Sequence, residues 1–99
     1  MKLVRDCIPE IIESDGKWCL TRTVHGPDEH MVFLKEKMEE ETQEFLEAPS
    51  YEEAADMIEV IKAFCHLNGL EWEAALATAE RKEEERGGFY QGIILQEVK

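Results

Sequence analysis

Apolar residues return every three or four positions along three stretches of the chain, a spacing that predicts three amphipathic helices. In the first, Met31, Leu34, Met38 and Phe45 make one stripe. This helix is expected to start near Pro27, since proline suits the first helical position and Asp28 and Glu29 favour the positive end of the helix dipole. It should run to about Glu47 and stop before Pro49. The second is expected after Ser50, which can cap it, and to end at Asn68-Gly69, a fitting left-handed terminus. The third should run from about Glu71 to Arg86 and stop at Gly87-Gly88. Short links between these helices imply antiparallel neighbours. Residues 1–16 read as an arm with a helical turn from Pro9 to Glu13, ended by Asp15-Gly16. Trp18 to Val24 is rich in strand formers, and Gly92 to Val98 is its expected partner. The expected fold is therefore mainly α: a small antiparallel helical bundle with a minor two-stranded β element, in a single domain over residues 1–99.

The pattern is broken in an informative way. Continuing the first stripe from Met38 reaches Glu41 before Phe45, so an acid falls inside the apolar seam. Glu44 lies one turn further on, at the edge of the stripe. Glu36, Glu39, Glu40 and Glu47 point mostly toward solvent. In the second helix, Met57, Val60, Ile61, Phe64 and Leu67 define the apolar face. Extending that face backwards meets Glu53 at its centre and Asp56 at its flank, with Glu52 and Glu59 well outside. A helical hairpin would bring the two pairs together, because one pair lies late in its helix and the other early in the next. Unpaired carboxylates near a core each lose several kcal/mol of hydration, so their pKa values must rise or cations must neutralise them. Lys37 and Lys62 sit toward the outer edges of their faces, which favours a hard cation as the partner. Magnesium takes carboxylate oxygens, keeps several waters and is completed by substrate phosphates; manganese is the second expectation. Against this stands a plainer reading. Glutamate is common in helices, and Ser50-Tyr51-Glu52-Glu53 fits a capping box in which Glu53 only bonds back to the backbone.

Charge and composition narrow the partners. The formal net charge is −12, a field that repels nucleic-acid polymers and anionic membranes but not a nucleotide accompanied by divalent ions. Hydrophobic residues make up 43% and charged residues 34%, as expected for a soluble globular protein. No apolar run approaches the roughly 20 residues of a membrane helix, and the early charges of the N-terminus do not suit a secretory signal. Cys7, Cys19 and Cys65 are odd in number and unpaired in spacing, which suggests reduced thiols and a cytoplasmic location rather than a zinc site. A chain of 99 residues buries only about 60–65% of its unfolded surface, so self-association is expected.

The arrangement Glu40-Glu41-x-x-Glu44 followed by Glu53-x-x-Asp56 resembles the metal motif of the MazG-like, all-α nucleotide pyrophosphohydrolases. Lys2-Leu3-Val4-Arg5-Asp6-Cys7-Ile8-Pro9-Glu10 and Arg86-Gly87-Gly88-Phe89 look like the phosphoribosyl-ATP pyrophosphohydrolase-like branch of that superfamily. Together the matches span nearly the whole chain. The resemblance implies that Glu41, Glu44, Glu53 and Asp56 are metal ligands. It also implies hydrolysis between the α- and β-phosphates of a nucleotide and assembly as a homodimer or higher homo-oligomer. Two departures stand out: Cys7 replaces the usual lysine of the opening motif, and Glu71 stands where a serine cap is common. With no histidine-pathway partner domain in the sequence, a free-standing enzyme acting on nucleoside triphosphates is expected over phosphoribosyl-ATP cleavage, and either over a non-catalytic adaptor on the same scaffold.

Within such a site Glu41 or Glu44 is the expected proton acceptor for a metal-bound water, with no ground for choosing between them. Lys82 and Arg86, one helical turn apart, are the first candidates for the far phosphates, although they equally fit an ordinary surface pair. Lys2 and Arg5 are the second candidates, Arg5 mainly through its place in the opening motif. Trp72 reads as core, Phe89 and Tyr90 as residues that either close over a substrate or dock the tail, and Gly87-Gly88 as a helix end.

Overall fold

A computed structural model describes all residues, Met1–Lys99, and contains four helices: α1 (Ile8–Ser14), α2 (Pro27–Glu47), α3 (Tyr51–Leu67) and α4 (Trp72–Arg86). The fold is all-α. The chain separates into two compact units, Met1–Gly69 and Leu70–Lys99.

Local chemistry explains the helix ends. Proline stands in the first turns of α1 and α2, where its missing N–H costs nothing. The start of α2 has Gly26 and no side-chain cap, and Glu29 in its first turn instead ties down the preceding residues. One Glu29 oxygen accepts the His25 backbone N–H at 2.9 Å, and both its oxygens accept from the Arg22 guanidinium, at 2.7 and 3.1 Å. That donor set pulls the Glu29 carboxyl down to about 2, chiefly through Arg22. At α3 the Ser50 hydroxyl accepts the Glu53 backbone N–H at 3.1 Å, an ordinary N-cap. Its other end is closed by Asn68, whose side-chain amide donates to the Phe64 carbonyl at 2.8 Å, and by Gly69 at φ +72°. Gly87, at φ +81°, ends α4 in the same way.

Helices α2 and α3 pack as an antiparallel hairpin across the short link Ala48–Ser50. Near its open end, the Asn68 amide reaches the Met31 sulfur at 3.9 Å. Midway, Leu34 and Val60 are buried, only 2% and 8% exposed. Nearer the link, Glu41 is buried opposite Glu53. Met38, Phe45, Met57, Phe64 and Leu67 are half-buried along the same seam. The core of this unit is therefore thin, and apolar side chains such as Val32, Leu46, Tyr51 and Ile58 remain exposed.

The expected β element does not form. Residues 17–24 and 92–99 are both irregular, and no strand is present. A two-stranded ribbon is marginal unless one face is covered. Here the strand formers Trp18, Leu20, Ile93, Ile94, Leu95 and Val98 are each at least three-quarters exposed, so no burial supports a ladder. In the second unit Trp72 is half-buried, whereas Phe89 and Tyr90 are exposed.

Leu34→Ala should destabilise the protein by about 2–5 kcal/mol, the usual cost of emptying a closed core position. Leu46→Ala, at a side chain 74% exposed, should change stability by less than about 0.5 kcal/mol. Urea denaturation of both variants checks the pair, and equal effects would contradict the placement of the core.

Candidate metal centre

Helical phase puts Glu41 in the seam of α2, one turn after Met38, and the hairpin sets it against the first turns of α3. Glu53 and Asp56, three residues apart, share the facing side of α3. One carboxylate oxygen from each of Glu41, Glu53 and Asp56 lies within 4.8 Å of the other two. Glu41 is only 7% exposed, and its Oε2 has no hydrogen-bond partner. Glu53 Oε2 is likewise buried and unpartnered. Capping by Ser50 therefore leaves this Glu53 oxygen free, and the carboxylate belongs to the acid group rather than serving only to close a capping box.

Two cations of the chain reach the same acids. Arg5 Nη2 donates to Asp56 Oδ1 at 2.7 Å, bridging 51 positions of sequence. Lys37 Nζ lies 3.6 Å from Glu41 Oε1 and 3.3 Å from Glu40 Oε2. The Lys37 side chain is only 18% exposed, so it sits further inside than its expected place at the outer edge of α2. Lys62 does remain outside, 3.8 Å from Glu59. Even with Lys37 nearby, burial and the neighbouring charges of Glu44 and Asp56 push the Glu41 carboxyl above its ordinary value. The Arg5 guanidinium is held further toward its charged form, first by the Asp56 hydrogen bond and then by the charges of Asp56, Glu59 and Glu41.

The structure thus gathers three of the four expected acids. Glu44 is exposed and falls outside the group of three oxygens, on the solvent side of α2. Its charge still bears on Glu41. Arg5 is at the site, bonded to Asp56. Lys2 is exposed on the arm, and Lys82 and Arg86 are exposed on α4 in the second unit. Two contacts escaped sequence reasoning. The i, i+4 spacing of Lys37 and Glu41 was a usable signal for the first, although lysine preceding glutamate is the weaker orientation. Nothing local foretells that Arg5 meets Asp56.

The donor set fits a hard divalent cation. Carboxylate oxygens are the ligands such ions prefer, and Glu41, Glu53 and Asp56 bring one each to within 4.8 Å of the others. The two orphaned buried oxygens supply lone pairs that no protein donor uses. The chain's three cysteines are free and take no part in the group. Comparison with protein-family models, with curated proteins and with solved structures finds no match for this chain.

The raised carboxyl of Glu41 has a defined consequence for pH. The folded state holds this proton more tightly than the unfolded chain, whose carboxyl titrates near 4.5. Stability from Glu41 is therefore complete below about pH 4.5 and is lost as pH rises through the folded value. Metal-free protein should show this loss in urea denaturation from pH 4 to 8, and Glu41→Gln should flatten it. Identical slopes for the two proteins would contradict the burial of an unpaired carboxylate.

Proposed function

We propose that the chain is a magnesium-dependent nucleotide pyrophosphohydrolase, cleaving the α–β phosphoanhydride bond of a nucleoside triphosphate or related nucleotide. The observation that supports this reading most is the convergence of Glu41, Glu53 and Asp56 with two buried oxygens left unpartnered. It agrees with the resemblance of Glu40-Glu41-x-x-Glu44 and Glu53-x-x-Asp56 to the MazG-like motif.

Phosphoanhydride cleavage requires neutralised phosphate charge, an in-line water and a stabilised leaving group. Glu41, Glu53 and Asp56 would hold a divalent ion, which when bound would supply charge neutralisation and lower the pKa of a water. The chain's own residues supply the rest. Glu44, exposed beside Glu41, is placed to accept a proton from solvent-side water, whereas Glu41 is committed to the buried group. Arg5, more than half exposed while bonded to Asp56, keeps free N–H donors for a phosphate oxygen. Lys2, Lys82 and Arg86 remain proposals for the outer phosphates. Manganese is the expected substitute for magnesium.

Purified protein with a panel of nucleoside triphosphates should release pyrophosphate with magnesium and not without it. Glu41→Gln, which removes a ligand of the ion, should reduce turnover at least as much as loss of an outer partner of a metal ligand does, about 10–100-fold. Absence of pyrophosphate release from every triphosphate would overturn the proposal, and full activity in Glu41→Gln would remove that residue from the site.

Self-association belongs to the same reading. A folded monomer of 11.5 kDa exposes about 5,800 Å² by the usual size scaling, whereas this chain exposes 8870 Å². The proposed occupant of the exposed Tyr51 and Ile58 surfaces is a second copy of the chain. Sedimentation equilibrium should give a dimer or larger, and Ile58→Glu should shift it toward monomer. A wild-type monomer at micromolar concentration would refute this part alone.

A further inference from the structure

We infer that Arg5 is a positioning residue of the metal centre, holding the Asp56 carboxylate in the orientation that serves the cation. The inference rests on the metal-binding reading of the acid group and assigns a task within it.

Three observations support it. The guanidinium donates to Asp56 Oδ1 at 2.7 Å, a short charge-assisted bond that leaves Asp56 Oδ2 free. Asp56 belongs to a group with a real call on a cation, because Glu41 is more than nine-tenths buried with Oε2 unpartnered. The same arrangement recurs beside it: Lys37 approaches Glu41 through Oε1, which leaves Oε2 as the inward oxygen. Each of these two acids is thus approached at one oxygen by a cation of the chain.

As an exposed ion pair, Arg5–Asp56 contributes little to stability. Its value lies in restricting Asp56 to one rotamer. A free aspartate would have to be ordered when the ion binds, and outer partners that remove that cost typically change metal affinity 10–100-fold. Repulsion between Arg5 and a divalent ion opposes this gain. Water screens it, since the Arg5 side chain is 54% exposed. Orientation therefore prevails over repulsion, and loss of Arg5 weakens binding.

Calorimetric titration of the intact protein with manganese chloride tests the assignment without any need for turnover. Wild type should bind, Arg5→Ala should bind about tenfold or more weakly, and Arg5→Lys should recover part of the loss. In an Asp56→Ala background, Arg5→Ala should have no further effect, because the contact through which it acts is gone. A role confined to tethering the arm would lower the melting temperature of the metal-free protein and leave affinity unchanged. Equal or tighter binding by Arg5→Ala, or an undiminished effect in the Asp56→Ala background, overturns the inference. Folded wild type that binds no manganese overturns the acid-group reading itself.

Discussion

The hairpin depends on a carboxylate placed where a leucine would be expected. Glu41 continues the α2 stripe of Met31, Leu34 and Met38, and packing against α3 takes it out of water with its neighbours. Hydration lost by a buried ion must be replaced by opposite charge or by a proton. Lys37 replaces it at one oxygen only, and the other remains without a partner. The Lys37 contact and the acid group of Glu41, Glu53 and Asp56 gather around that deficit.

The hairpin divides into two chemically different halves as a result. Toward the open end, Leu34 and Val60 supply its closed apolar contacts, and Asn68 links the end of α3 to Met31. Toward the Ala48–Ser50 link, the seam turns acidic, with Glu41 facing Glu53 and Asp56. Positions given to acids cannot contribute apolar burial, so the unit gives up core there. A cation bound only by the folded state would return that stability by mass action. The thin core and the acid group are two sides of one allocation of interior positions.

The arm joins this centre through electrostatics rather than through packing. Arg5 is mostly exposed, yet its bond to Asp56 brings the start of the chain to the first turns of α3. A cation at the acid rim and an open carboxylate at Glu44 give the acid group donors and acceptors on its solvent side.

Much of this was legible in the sequence, for reasons that are local. Helix starts at Pro27 and Ser50 and helix stops at Asn68-Gly69 and Gly87 follow from backbone chemistry within a few residues, and the structure bears them out. The positions of Glu41 and Glu53 followed from a 100° step per residue, which needs no knowledge of a partner helix. The tertiary structure decided what depends on distance between elements. It set Glu44 outside the oxygen group, drew Lys37 inward, joined Arg5 to Asp56 across 51 positions, and left the strand formers of residues 17–24 and 92–99 without a ladder. Periodicity fixes the direction in which a side chain leaves its helix. Whether two such directions meet is set by the packing of one helix on another, and no single stretch of sequence holds that information.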